Sequence, residues 1–558
     1  MKTERLIYLP LGGAGEVGMN AYVFGWGPEG RERLILVDLG VTFPDMDSAP
    51  GVDLILPDVT WLAERADRLE AIFITHAHED HIGALGHLLP RLKAPVYARR
   101  FTALIARLKL EEQGRDPSAV TTVGAFPETV EAGPFRVSFL PVSHSIPESA
   151  GLVIDTPAGR VVHTGDFKLD GNPLVGEPFD AELWHRVATE AGGIKVLTCD
   201  STNVFVPHPG RSEATLGPAI EELICGATGL IAATTFASNV ARVRTLAVAA
   251  RAAGRSVVLL GRAMRRMVTA AQEAGVLTDF PPTLAPEDAE HVARDNLMLI
   301  VTGSQGERRA ATAALSRGKY LGFEMKEGDT FLFSSKTIPG NERSVLRIVN
   351  SFSEIGVEVI DDRDNRYHVS GHANRPDLEA VHDLMKPQIL IPMHGEHRML
   401  REHARLAATK GIAAEIVPNG TMVDLTGEAP EIVEYIETGR VYLDGSVLVG
   451  ALDGVVRDRI RMALNGHVLV TLIVEDDRLL GEAWAETTGL PEAGRSRRLL
   501  AELIEAEVTG YLEAAGAKTL GDDDRIDDAV KRIVRQAALE EIGKKPEVTV
   551  VVSRLSEG

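Results

Sequence analysis

The sequence predicts an α/β protein in three parts: an α/β domain, a second domain of repeating βα units inserted into it, and a small α+β domain at the end. Two patterns lead to that expectation. Apolar runs of strand type end in histidine or aspartate at Thr75-His76, Ser143-His144, Gly165-Asp166 and Met393-His394, as expected where strands deliver ligands to one edge of a sheet. Between the third and fourth of these, strand and helix patterns alternate without such endings, which marks a separate body.

Composition sets the bounds. A length of 558 residues exceeds one ordinary core and fits about three domains. Hydrophobic residues at 44% and charged residues at 25% match a soluble globular chain, and no apolar run nears the roughly 20 residues of a membrane span. The opening Met1-Lys-Thr-Glu-Arg-Leu-Ile-Tyr enters a strand-like run with no secretory apolar region, and Cys199 and Cys225 alone build no disulfide scaffold, so a cytoplasmic protein is expected. The formal charge of −21 opposes long-range attraction of nucleic acid. At a site for a polyanion, bound divalent cations and a locally basic groove would have to reverse that field.

Taken in order, the chain opens with a strand from Leu6 to Leu11 that runs into Gly12-Gly13-Ala-Gly15-Glu-Val-Gly18. Gly13, Gly15 and Gly18 have the spacing of a dinucleotide fingerprint, and Asp38 follows twenty residues after Gly18. A strand rather than a helix comes next, so the helix N-terminus that would hold a pyrophosphate is missing. A glycine-rich hairpin loop near the active site is expected instead. Residues 45–57, rich in Pro, Asp and Gly, read as a long loop, and residues 60–70 as a short amphipathic helix. Then comes Ala71-Ile-Phe-Ile-Thr-His76-Ala-His78-Glu-Asp80-His81-Ile-Gly. In an extended segment residues i and i+2 share a face, so His76 and His78 can reach one metal ion. The helical pattern of Ile82, Leu85, Leu88 and Leu89 turns Asp80 and His81 toward a second ion. Four such side chains at one turn are costly to desolvate unless something pairs them, and a metal centre does so.

The later runs ending in His144, Asp166 and His394 bring the ligand count to that of a two-metal site. The inserted domain is expected at residues 209–367. Its strand ends carry the loops 234–239, 302–307 and 334–341, rich in the hydroxyls and backbone N–H groups that suit phosphate, and Ser238 and Ser304 are picked there as substrate contacts. Arg242, Arg262, Arg265, Arg266, Arg308, Arg309, Lys336 and Arg343 are candidates for a positive groove. Tyr367-His-Val-Ser370-Gly371-His372-Ala373-Asn then returns the chain to the first domain, which is expected at 1–208 and 368–449. Residues 450–464 read as a linker. The terminal domain, 465–558, has strands at Val468–Val474 and from Glu547, with helices near 497–514 and 524–541 between them. It has no ligand cluster, and its apolar run Val468–Val474 requires a partner surface, so its expected roles are assembly and substrate guidance.

The His-x-His-x-Asp-His pattern is similar to the signature of the metallo-β-lactamase fold. Together with the insertion, Ser370-Gly371-His372 and Pro392-Met-His394-Gly-Glu396, it resembles the β-CASP branch of that fold's nucleases over the whole length, and most closely the ribonuclease J family. The resemblance implies an αββα sandwich with an inserted β-CASP domain and a small α+β C-terminal domain. It places His76, His78, His144 and Asp166 on one ion, and Asp80, His81, a bridging Asp166 and His394 on the other. Asp80, His81, Asp200 and His372 are implied as catalytic, and Ser370, Gly371, His372 and Ala373 as phosphate contacts. The implied reaction is cleavage of single-stranded RNA to leave 5′-phosphates, by 5′-to-3′ exonuclease action that prefers 5′-monophosphate ends and by endonuclease action, in rRNA processing and mRNA decay. The implied assembly is a homodimer or tetramer, with membership of an RNA-degradation complex and no membrane partner. Nitrogen and carboxylate ligands without thiolate suit two divalent ions, Zn²⁺ or Mn²⁺, with Mg²⁺ a further option.

Two other classes compete. A small-molecule metallohydrolase of lactonase or thioesterase type shares the opening signature but leaves the insertion and Ser-Gly-His372 unexplained. A metal-stabilised RNA-binding scaffold without catalysis would be expected to lack a ligand, and all seven positions are filled. DNA as substrate stays open, because the residues do not show whether a 2′-OH is read.

Overall fold

The computed structural model describes residues 4–555. Met1–Thr42 with Leu56–Arg440 make one compact unit, and Phe43–Ile55 with Val441–Gly558 make another.

The first unit is built on two facing sheets. One orders its strands as Glu431–Tyr435, Thr421–Asp424, Glu4–Gly12, Ala21–Pro28, Arg33–Val37, Leu69–Ile74, Val96–Ala98 and Val120–Thr122. The other runs Ala413–Ala414, Ile389–Met393, Ile194–Asp200, Gly159–His163, Ala150–Thr156, Phe135–Pro141 and Val130–Ala132. Tyr8, Tyr22, Phe24, Ile35 and Phe73 of the first sheet meet Phe135, Val137, Phe139, Leu152, Ile154, Val196 and Ile391 of the second in one core. The alternate residues Val153, Val162, Leu197 and Leu390 point the other way, beneath the helices Ala181–Thr189, Arg375–Met385 and His397–Thr409, where they pack with Trp184, Val187, Leu378, Val381 and Leu406. Strands covered on both faces read as unbroken apolar runs, which explains Ile389-Leu-Ile-Pro-Met and Ala71-Ile-Phe-Ile. The result is an αββα sandwich. Gly159–His163, Ile194–Asp200 and Ile389–Met393 are mutually parallel, so Asp166, Asp200 and His394 emerge at one edge.

The insertion leaves after Asp200 and returns before Ile389. It forms a wholly parallel six-stranded sheet: Thr283–Leu284, Ser256–Leu260, Leu297–Val301, Ile231–Thr234, Thr330–Phe333 and Glu358–Ile360. Arg242, fully buried, ties its two ends together. The guanidinium donates to both oxygens of Glu213, at 2.5 and 2.9 Å, and to the carbonyls of Ser334 at 2.8 Å and Tyr367 at 3.0 Å.

In the second unit, the hairpin of Arg440–Asp444 and Val447–Gly450 is held to its loop by Asp53, which accepts from Gly445 N and donates its own N–H to Leu443 O, both at 2.9 Å. His467–Glu475 lies between Trp484–Thr488, antiparallel, and Glu547–Leu555, parallel. Its alternate residues Val468, Val470, Leu472 and Val474 pack on Ile504, Val508, Val530 and Val534 of the helices Leu500–Ala514 and Asp523–Ile542.

Two local expectations differ from what forms. Residues 60–70 make only a single turn, Thr60–Ala63, and a 3₁₀ turn, Ala66–Arg68, because Leu69 is already paired with Leu34 in the sheet. The stretch read as a linker contains the helix Val455–Asn465; only Val456 of it is buried, and Arg457, Asp458, Arg459 and Arg461 dilute its apolar stripe. No helix among the described residues is long and apolar enough to cross a membrane.

Candidate metal centre

Strand ends supply the site. His76 and His78 follow Leu69–Ile74, and Asp80 and His81 lie in the turn Glu79–Ile82. His144 follows Phe135–Pro141, Asp166 follows Gly159–His163, Asp200 ends its own strand, and His394 follows Ile389–Met393. His76 Nε2 and His144 Nε2 are each 3.1 Å from His78 Nδ1 and 3.8 Å from Asp166 Oδ2. In a second set, His394 Nε2 is 3.2 Å from Asp80 Oδ2, and His81 Nε2 is 3.2 Å from Asp166 Oδ2 and 3.5 Å from Asp80 Oδ2. Within each set the ligand atoms lie within 4.8 Å of one another, and Asp166 belongs to both. A third group joins Asp166 and His394 to Asp200 and His372, whose Nδ1 is 2.8 Å from Asp200 Oδ2.

These residues fit divalent cations on two counts. Asp166 Oδ1 is buried with no hydrogen-bond partner, an expensive condition for a carboxylate oxygen unless a cation faces it. The charges also sort by set. Burial and neighbouring imidazoles push His76, His78 and His144 down, His78 to about 4, so their ring nitrogens keep free lone pairs. Burial alone would raise Asp80, Asp166 and Asp200, but the facing imidazoles hold all three below the usual carboxylate range. Burial opposes charge on His81 and His394 as well. Asp166, Asp80 and Asp200 outweigh it and lift His394 to about 10.

A second layer aims the ligands. Asp38 Oδ2 accepts from His81 Nδ1 at 2.7 Å, and Asp38 Oδ1 accepts from Thr75 N at 2.8 Å, so Nε2 of His81 is left facing the second set. Gly371 O accepts from His144 Nδ1 at 2.6 Å. A Cβ on Gly371 would stand 2.7 Å from Ser145 Oγ and 2.8 Å from the His144 ring, so only glycine brings that carbonyl so close. Thr202 Oγ1 accepts from His394 Nδ1 at 2.8 Å and donates to Asp200 Oδ1 at 2.7 Å. Asn203 Nδ2 donates to Ser370 Oγ at 2.8 Å and to Asn374 Oδ1 at 2.9 Å, binding the Asp200 segment to the Ser-Gly-His loop. The sequence reading did not assign these roles to Asp38, Thr202 or Asn203. Asp38 obeys the same strand-end rule as the ligands, directly after Arg33–Val37, but its distance from the glycines pointed to a nucleotide site.

The expected substrate contacts divide. Ser370 Oγ accepts from Asn203 and, at 3.2 Å, from His372 N, so its hydrogen stays available. Ala373 is buried, and its N–H donates to Phe167 O at 2.6 Å, which anchors the loop. Ser238 and Ser304 lie on strand-end loops of the insertion; Ser304 is buried beside Gln305 Nε2 at 3.4 Å, and neither serine bonds to the ligand sets among the described residues. Arg242 is likewise no groove cation, being buried against Glu213, and Arg266 is paired with Glu112. Arg262, Arg265, Arg308, Arg309, Lys336 and Arg343 are exposed and have no ion-pair partner among the described residues.

Four family models match consecutive parts of the chain. They are the metallo-beta-lactamase superfamily at 14–226, the ribonuclease J beta-CASP domain at 228–352, the Zn-dependent metallo-hydrolase RNA specificity domain at 357–418 and the ribonuclease J C-terminal domain at 454–555. Similar curated proteins include ribonuclease J of Sinorhizobium meliloti, 39% identical over 99% of this chain and 98% of its own length. Those of Mycolicibacterium smegmatis, 38% identical over 97% and 96%, and Thermus thermophilus, 33% over 98% and 94%, are similar too. A solved protein of unknown function from Enterococcus faecalis shares the fold at a TM-score of 0.51 and 16% identity, over 75% of this chain and all of its own.

Proposed function

The chain belongs to the ribonuclease J family and is a metal-dependent nuclease of RNA, and on that premise we propose that the two ligand sets hold two divalent ions, Zn²⁺ or Mn²⁺, at which RNA is cut to leave 5′-phosphates. His76, His78, His144 and Asp166 hold one ion; Asp80, His81, Asp166 and His394 hold the other. One observation carries this reading: Asp166 stands in both sets with one buried oxygen open. Bound there, such ions would supply an activated water and Lewis-acid polarisation of the scissile phosphate.

The chain's own groups do the rest. Asp200 grips His372 through Nδ1, which leaves Nε2 to deliver a proton to the departing 3′-oxygen. Burial opposes charge on His372, but Asp200, whose carboxylate faces Nδ1, outweighs it together with Asp166 and raises its pKa above the ordinary histidine value. The Ser370 hydroxyl, with its hydrogen unspent, donates to the next phosphate, where a charge-assisted bond to a 5′-terminal monophosphate is the strongest available. The unpaired cations of the insertion guide the strand in spite of the acidic whole.

The proposed activity is 5′-to-3′ exonuclease with a preference for 5′-monophosphate ends, alongside internal cleavage, and the proposed setting is a cytoplasmic homodimer. Metal-loaded protein given RNA with 5′-monophosphate or 5′-triphosphate ends, and matched DNA, tests it. The expected result is stepwise shortening from the 5′ end, fastest for monophosphorylated RNA. Equal rates for the two ends would remove the end preference, and equal cutting of DNA would remove the specificity for RNA.

A further inference from the structure

The glycine-rich loop is unused by the reaction as described, yet it ends against the second ligand set. Ala14–Gly15 pairs in parallel with Gly395–Glu396, directly after His394, and the loop leads to Asn20, which is wholly buried. Asn20 N and Asn20 Nδ2 both donate to Asp80 O at 2.9 Å. The same Nδ2 lies 3.0 Å from His81 Nε2 and 3.4 Å from Asp80 Oδ2, two ligand atoms of that set.

The amide can face only one way. Its Oδ1 accepts from the Tyr22 hydroxyl at 2.7 Å, a shorter contact than the 3.2 Å from that hydroxyl to Gly13 O. Turned over, the amide would set its oxygen against the Asp80 carbonyl and carboxylate, oxygen against oxygen. Gly13 makes the lock possible: at φ +82°, a Cβ there would come within 2.2 Å of Asn20 Oδ1 and 2.3 Å of the Tyr22 hydroxyl. Of the two amide hydrogens, one satisfies the Asp80 carbonyl and the other points between His81 Nε2 and Asp80 Oδ2.

We propose that Asn20, held by Tyr22 and the glycine loop, is the positioning residue of the second ion: a neutral donor that fixes the Asp80 carboxylate for that ion alone. This rests on the two-ion reading above. A neutral amide is suited to the task, because it orients the carboxylate without repelling a cation, as an ammonium group would. None of the first-set ligands, His76, His78 or His144, has a hydrogen bond to Asn20 among the described residues, so removing the amide should unsettle one ion and spare the other.

The test is Mn²⁺ binding to the metal-free full-length protein, followed by calorimetry and by metal analysis, with no substrate present. In Asn20→Leu one of the two equivalents should lose affinity by about tenfold to a hundredfold, the size of effect when an outer partner of a ligand is removed. The other should keep its affinity. Tyr22→Phe keeps the amide but frees its orientation, so it should weaken the same equivalent by a smaller factor, and it decides the matter if Asn20→Leu does not fold. Equal weakening of both equivalents, or of neither, overturns the assignment. If the unaltered protein binds a single equivalent, the two-ion reading itself fails, an outcome distinct from failure of the Asn20 role.

Discussion

Asp38 shows how the chemistry of this site depends on residues that never touch an ion. It holds His81 by Nδ1, and both its oxygens are occupied by His81 and Thr75. Asp38→Asn keeps the size but has only one acceptor, so its NH2 must face either the His81 Nδ1 hydrogen or the Thr75 N–H. The expected outcome is a loss of about tenfold to a hundredfold in affinity for the second ion or in turnover; turnover within about twofold would contradict the role. The candidate ligands were legible in the sequence because histidine and aspartate at strand ends are too dense to be incidental, and the fold gathers them into clusters. Their supporting residues were not, because Asp38, Thr202, Asn203 and Asn20 are ordinary polar residues until the fold brings them to an imidazole or a carboxylate.

Elements were legible where tertiary and local preferences agree. The unbroken apolar strands and the βα alternation of the insertion belong to that class. The turn at 60–63 and the helix Val455–Asn465 do not, since sheet pairing overrides one and charge dilutes the stripe of the other. At this scale the Arg242–Glu213 pair is testable. Arg242→Met leaves the Glu213 carboxylate buried and alone, at a cost of about 3–5 kcal/mol, and a second change, Glu213→Leu, should restore part of it. Chemical denaturation measures both. A second test concerns the helices Arg375–Met385 and His397–Thr409, which share a buried imidazole pair, His382 Nε2 to His403 Nε2 at 3.0 Å, behind Ser201. Burial holds His382 at about 4 and His403 at about 3. Unfolded histidine titrates near 6.5. Below that pH the unfolded chain binds more protons, so the pair's stability is fully present above about 6.5 and falls by about 1.4 kcal/mol per pH unit for each ring as pH drops toward 4. His382→Phe with His403→Phe should flatten the fall relative to the unaltered protein; parallel curves would contradict it.

For the whole molecule, the charge of −21 opposes an RNA substrate, and on the proposed reading the exposed cations of the insertion and the two ions would offset that charge locally. The terminal domain presents Ile473, Trp484, Val551 and Leu555 on exposed strand positions while its other face is packed by helices. Removing residues 465–558 should lower the mass in solution and slow degradation of long RNA, with metal content unchanged. Unaltered mass and processivity would assign the domain another role. The central claim, that two ions sharing Asp166 perform the cleavage, is met most directly by titrating metal-free protein with Mn²⁺ while following hydrolysis of a 5′-monophosphorylated RNA. Activity should stay near zero through the first equivalent per chain and rise with the second. Full activity at one equivalent would contradict it.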